Sequence, residues 1–287
     1  MPTVSLDGAS IYYEEKGSGN PVVLVHGIPT DYRAWRNQMV PLSNGRRVIA
    51  LSRRYASPNG RQGNLDDSTV QNNADDLRQF IEKVAGGPVN LVGHSYGGFI
   101  SAFLASGHPD LVESLILVEP AISTLLVADQ NSAAEALGLL FRKPAVAFSA
   151  RRFLTRSLGP SLKALEANEL EKAVALNVDG VQGVEGAFKT IPEDLRDMMI
   201  DNAKTVAELK TRFPRFTAKE LSQISRPTLV VNCEEGALFL NKIGEMTAKV
   251  IPGAKRVLAP GSRHFPHFEN AEFFNQKVLA FLDGARP

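Results

Sequence analysis

One serine lies between paired glycines, in Gly93-His94-Ser95-Tyr96-Gly97-Gly98. The run Val89-Asn90-Leu91-Val92 precedes it and the helix-compatible residues 99–105 follow. A strand, a Gly-x-Ser-x-Gly turn and a helix in that order make an elbow that presents a nucleophile. The tight turn holds the serine in a sparsely populated backbone conformation, and the small neighbours prevent collision. Its hydroxyl then stands at a helix N-terminus, where backbone N–H groups can face a developing oxyanion. Such a hydroxyl is protonated at neutral pH and needs a base. Of five histidines, His264 is the candidate. It follows the strand-like residues 255–258 through a loop and precedes the final helix, at the sheet edge that presents Ser95. His267 is read as a partly exposed helix-start residue, His108 as a surface-loop residue, and His94 as a packing residue inside the elbow.

The remaining parts of such a site have candidates too. Oxyanion stabilisation needs two N–H donors. Tyr96, directly after the serine, supplies one, and Ile28 in His26-Gly27-Ile28-Pro29 the other, with His26 bracing the loop. A carboxylate must orient the imidazole and stabilise the imidazolium. Glu119, at the end of the apolar run 114–118, is placed for this, and Glu234 and Glu235 remain alternatives. A carboxylate at the end of a buried strand is costly unless paired, which favours a histidine partner. Trp35, Tyr55, His94 and Phe265 are candidate pocket residues, with packing an equal reading for Trp35. Arg151, Arg152 and Arg156 are read as a solvated helix face, and Cys233 as a buried small residue.

These parts require a particular scaffold. Apolar runs at residues 22–25, 48–51, 89–92, 114–118 and 228–231, with a weaker one at 255–258, have the composition of buried parallel strands. Amphipathic stretches at residues 70–84, 99–106 and 271–282 alternate with them, and residues 10–15 alternate like a strand. The expected fold is α/β, a mostly parallel sheet flanked by helices. Residues 121–216 contain helical patterns at 132–141, 145–158, 161–176 and 193–209. They read as a helical cap inserted after the sixth strand, with residues 1–120 and 217–287 forming the core. Of 287 residues, 44% are hydrophobic, enough for a large core, and 32 Lys and Arg balance 31 Asp and Glu. The resulting charge of +1 offers no electrostatic case for nucleic acid or an anionic membrane as partner. No apolar run nears the ~18 residues that span a bilayer, and the N-terminus lacks signal-peptide character, so a cytoplasmic location is expected. A single cysteine excludes an intramolecular disulfide.

The His26-Gly27-Ile28-Pro29 loop, the Ser95 elbow and Gly261-Ser262-Arg263-His264-Phe265-Pro266 together resemble the α/β-hydrolase superfamily, from about residue 10 to the C-terminus. The resemblance implies that family's fold, its order of nucleophile, acid and histidine, and a serine-hydrolase chemistry without metal or cofactor. Many members carry the acid in a Gly-Glu-x-Asp-like segment after the seventh strand. Here Gly236 occupies that position, whereas Glu119 is similar to the arrangement of some haloalkane dehalogenases. Residues 26–30 with Trp35-Arg36-Asn37 also resemble the loop of those enzymes, which use Asp as nucleophile. Serine alkylated by halide displacement would form an ether with no carbonyl for water to attack, so acyl transfer fits Ser95 and dehalogenation does not. In the loop where relatives often have Asp-x-Arg-Gly-x-Gly, Arg54 matches the arginine, a structural hydrogen-bonding residue. The expected substrate is a small to medium ester or lactone. Haloperoxidase- or perhydrolase-like turnover, C–C bond hydrolysis and a ligand receptor with little turnover are the alternatives.

Overall fold

Apolar side chains at consecutive rather than alternate positions, as in residues 22–25, require cover on both faces of the sheet. The computed structural model, which describes residues 2–60 and 65–284, supplies it. Eight strands, β1 (Thr3–Leu6), β2 (Ala9–Lys16), β3 (Asn20–Val25), β4 (Arg46–Leu51), β5 (Val89–His94), β6 (Val112–Val118), β7 (Thr228–Cys233) and β8 (Lys255–Ala259), form one sheet. Their order is β1-β2-β4-β3-β5-β6-β7-β8. The pairings of β2 with β1 and with β4 are antiparallel, and the other pairings are parallel. The chain runs outward from β3 to β4 and then returns to β5 on the other side. Ligands of open α/β sheets bind outside the carboxyl ends of the strands at such a reversal. The loop after β3 and the elbow after β5 meet there.

The pleat divides the core. Val22, Leu24, Val48 and Ala50 share one cluster with Trp35, Leu42, Phe274 and Val278. Val23, Val25, Ile49 and Leu51 join Ala74, Leu77, Phe80 and Phe99 in the other. Each Val, Leu or Phe buried this way contributes about 1.5–3 kcal/mol. The helices concerned before the insertion are α1 (Arg36–Leu42), α2 (Val70–Phe80), which Thr69 caps through Asn72 N, and α3 (Tyr96–Gly107).

Between β6 and β7 the described chain is helical, with α4 (Ala133–Arg142), α5 (Pro144–Phe153), α6 (Gly159–Glu166), α7 (Leu170–Gln182), α8 (Ala187–Thr190) and α9 (Glu193–Asp201). A π-helical turn, Leu154–Leu158, joins α5 to α6, and a 3-10 segment, Ala203–Lys210, follows α9. Two expected helices are broken. The stretch 161–176 divides near Asn168, whose φ is 58°, a left-handed conformation that asparagine tolerates. The stretch 193–209 leaves α-geometry at Asn202, whose Nδ2 donates to Asp31 Oδ2 at 2.7 Å and whose Oδ1 accepts from Ser57 N at 2.8 Å. Val174, Val178, Leu195 and Met199 of the insertion pack with Ala34 and Phe265 of the sheet side. The four-residue β1 was not among the expected strands. Helices α10 (Ala218–Leu221), α11 (Leu238–Val250), α12 (Pro266–Glu269) and α13 (Ala271–Gly284) complete the chain. Among the described residues, no helix is long and apolar enough to cross a membrane.

Candidate active site

Strand parity sets the elbow. Along β5, Leu91 faces the α2/α3 layer and Val92 the opposite one, so Gly93 faces α3 and His94 turns away from it. A Cβ at Gly93 would strike Ser101 and the Gly97 carbonyl, and one at Gly97 would strike the carbonyls of Val25 and His26. The strand end and helix start therefore approach only without side chains at both positions. Ser95 is held at φ 52°, ψ −116°. Its N–H donates to Val118 O at 2.8 Å, and its carbonyl accepts from Phe99 N and Ala121 N, each at 3.1 Å. Only three described non-glycine residues have positive φ, and two of them are Ser95 and Glu119. Strain of about 1–3 kcal/mol at such residues persists where surrounding contacts over-determine it.

His264 brings its Nε2 to 3.1 Å from Ser95 Oγ, and its Nδ1 lies 3.5 Å from Glu119 Oε2. The ring is aimed by its own loop. Glu269 Oε2 accepts from the backbone N–H groups of Arg263, His264 and Phe265 at 2.9, 3.3 and 3.0 Å. Behind it, His94 Nε2 donates to the His264 carbonyl at 2.9 Å, and burial keeps His94 neutral by pushing its pKa well below the usual histidine value. Glu119 is fully buried, with Oε1 accepting from Asn232 Nδ2 at 2.9 Å and Cys233 N at 2.7 Å. Arg256 Nε in turn donates to Asn232 Oδ1 at 2.8 Å. Burial pushes the Glu119 carboxyl up to about 7, against the opposing pull of the Asn232 and Cys233 hydrogen bonds. Burial also pushes His264 down to about 3, so the imidazole is held neutral.

The other carboxylates go elsewhere. Glu235 pairs with Arg263 Nη2 at 3.2 Å near the surface, and Glu234 Oε2 accepts from Gly261 N at 3.3 Å. Position 236 has no room for a side chain, because a Cβ there would collide with the Arg263 carbonyl and stand 3.5 Å from Glu119 Oε2. The N–H groups of Ile28 and Tyr96 donate to no other described residue and flank the elbow. His26 braces the first of these loops. Its Nδ1 donates to Gly27 O at 2.8 Å and its Nε2 accepts from Arg53 N at 2.9 Å.

Arg54 clamps Asp76 with two 2.6 Å bonds, but its neighbour Arg53, which no local motif marks, reaches further. Arg53 Nη1 meets Glu208 Oε2 of the helical insertion at 2.6 Å with both side chains buried, and also donates to Asn73 Oδ1 at 3.2 Å. Its guanidinium lies 5.0 Å from the Tyr96 ring centre.

The four expected pocket residues divide. His94 and Phe265 are buried with their rings 4.9 Å from that of His264. Trp35 is fully buried beneath them against His267 and Phe274, so its surroundings are those of a core residue. Tyr55 lies beside Arg54 in the loop after β4. His267 is not partly exposed, contrary to expectation; it is fully buried, its ring 4.7 Å from Trp35 and 4.6 Å from His94. It lies in the first turn of α12, whose buried residues are Pro266 and His267.

Comparison with known proteins sets this geometry among relatives. A sequence profile described as the alpha/beta hydrolase fold matches residues 20–271. The 2-(acetamidomethylene)succinate hydrolase of Mesorhizobium japonicum is 24% identical over 284 residues, covering 98% of this chain and 94% of that protein. An esterase from Thermogutta terrifontis superposes with a TM-score of 0.69 at 24% identity, covering 97% of this chain and 94% of the esterase. A bromoperoxidase from Bacillus anthracis also gives 0.69, at 22% identity over 98% of this chain and 99% of that one. At these identities the structural likeness speaks for the fold alone. The profile is more specific, and since it runs from the start of β3 to beyond His264, this protein belongs to the α/β-hydrolase-fold family.

Proposed function

We propose that the protein is a serine hydrolase that cleaves a small to medium carboxylic ester or lactone through an acyl-enzyme. The observation that carries this reading is the line from Ser95 Oγ through His264 to buried Glu119, at 3.1 and 3.5 Å. His264 Nε2 takes the Ser95 proton as Oγ attacks the carbonyl. The N–H groups of Ile28 and Tyr96 hold the oxyanion, and each such donor is worth about 10²–10³ in rate. Collapse of the intermediate passes the proton from His264 to the leaving alkoxide. Water, deprotonated by the same nitrogen, then releases the acid. Glu119 keeps the proton on Nδ1 and stabilises the transient imidazolium. Ile28 and Tyr96 share an apolar cluster with Ile122 and with Val146 and Val206 of the helical insertion, which supports an acyl pocket capped by that insertion.

Fluorophosphonate labelling of Ser95, with turnover of p-nitrophenyl acetate and butyrate, tests the reading. An adduct with turnover is expected. An adduct without turnover would indicate a receptor-like protein, and neither adduct nor turnover would remove the hydrolase reading.

The ionisation of the pair gives a second test. His264 stays neutral down to about pH 3, whereas Glu119, raised to about 7, must lose its proton to serve the imidazolium. Thus kcat/KM is expected to rise with pH through about 7, and Glu119→Gln is expected to lack that limb. A wild-type limb centred below pH 5 would show that Glu119 ionises normally.

A further inference from the structure

The helical insertion and the loop after β7 border an open cavity of about 600 Å³. Its wall follows α5, the π-helical turn and α7, and its floor is the segment 235–238. Arg152 and Arg156 line it, while Arg151 does not. Neither lining arginine makes a hydrogen bond or ion pair with another described residue. The carboxylates that share the lining are largely engaged. Asp179 accepts from Gly186 N at 2.7 Å and Phe188 N at 2.8 Å, and Glu235 is paired with Arg263. Glu185 has no partner among the described residues and Asp179 has only backbone N–H partners, so the two guanidinium groups share the lining with two carboxylates that have no counter-ion, and neither arginine is bonded to either.

A second observation points the same way. Gln182 lines the cavity at 1% exposure, and its Nε2 has no hydrogen-bond partner. Buried donors without acceptors are rare and call for an explanation, and a turn of this amide into the cavity would let a ligand oxygen supply one. The lining is also apolar. Phe148 and Leu238 stay 60% and 46% exposed, and Phe153 packs its ring 5.2 Å from that of Phe239.

We propose that this cavity binds an organic carboxylate with an apolar body. Arg152 and Arg156 hold the carboxylate, whose geometry matches the planar guanidinium fork. Gln182 Nε2 donates to a ligand oxygen, and Phe148, Phe153 and Leu238 cover the body. The site goes beyond the hydrolytic reading and does not depend on it, so its test uses a protein without the serine hydroxyl.

Calorimetric titration of Ser95→Ala with phenylacetate, hexanoate and the neutral phenylacetamide supplies that test. At least one acid is expected to bind, phenylacetamide at least about tenfold more weakly than phenylacetate. Adding Arg152→Ala and Arg156→Ala is expected to weaken the acid at least about tenfold, whereas Arg151→Ala leaves it unchanged. Gln182→Leu weakens it further. All three arginines are on the surface, and retention of the wild-type melting temperature shows that the fold is kept. No binding by either acid at roughly 10 mM would overturn the proposal. Equal binding of phenylacetate and phenylacetamide, or equal losses from the Arg151 and Arg152/Arg156 substitutions, would do so too.

Discussion

Ser95→Ala is expected to lower kcat on a p-nitrophenyl ester by about 10⁵–10⁶ while leaving KM and the melting temperature close to wild type. The loss is large because the proposed mechanism makes this hydroxyl the atom that forms the acyl bond; what would remain is binding and the two proposed oxyanion donors. Glu119→Gln should cost about 10³–10⁴ in kcat, since an amide beside Nδ1 permits the wrong tautomer and leaves the imidazolium uncompensated. Glu235→Gln should change kcat by less than about twofold, because that carboxylate faces Arg263 near the surface. In the proposed mechanism Ser95, His264 and Glu119 act as a unit, so the Ser95→Ala/Glu119→Gln double variant should be no slower than Ser95→Ala alone. A loss confined to Glu235→Gln would move the acid to the loop after β7.

Arg53→Ala is expected to destabilise the fold by about 3–5 kcal/mol, the cost of leaving the Glu208 charge buried without its partner. The pair is 2.6 Å apart, and the two side chains are 3% and 1% exposed. Burial itself raises the Glu208 pKa, so the carboxylate depends on the arginine to stay ionised. Replacing both partners by apolar side chains, as in Arg53→Met/Glu208→Leu, should recover most of the loss. Activity should not recover with it. The Arg53 side chain also donates from Nε to the His26 carbonyl at 3.2 Å and lies over the Tyr96 ring, whereas its backbone bond to His26 Nε2 survives the substitution. One guanidinium thus ties the His26 loop and Tyr96, which carry the two proposed oxyanion donors, to the helical insertion. A shift of about 1 Å in such a donor can cost about 10²-fold in rate. Urea midpoints at constant slope report the stability, and kcat on the same ester reports the alignment. Full recovery of both in the double variant would reduce Arg53 to packing.

The contrast between these two groups of residues shows how much of the molecule was legible beforehand. Ser95, His26-Gly27-Ile28 and the buried strands were readable because each depends on its own few neighbours. Glycines at 93 and 97 permit the close approach, and runs of Val, Ile and Leu suit a sheet covered on both faces. His264 was readable from its place between the last strand and the last helix. Where an element's fate depended on a distant partner, the reading blurred. The helix expected at 193–209 changes form because Asn202 bonds Asp31 and Ser57 across the fold. His267 had the pattern of a half-exposed helix start and is buried against Trp35 and His94.

The chain alone specified the strand–elbow–helix turn at Ser95, the loop that carries His264 and the close-packed His26-Gly27-Ile28 loop, since local backbone geometry is written in local side-chain size. Of the three carboxylates at the ends of two strands, Glu119 was already favoured over Glu234 and Glu235 by its position after a buried strand. The folded arrangement separated them: β6 and β7 are adjacent, Asn232 and Cys233 hold Glu119, and the crowding at Gly236 leaves no space for another side chain there. Likewise, no spacing rule joins Arg53 to Glu208 across 155 residues, or brings Arg152 and Arg156 into one cavity with Gln182. Contacts of that kind are set by which element ends converge, and convergence is a property of the packed sheet and helices rather than of any one segment.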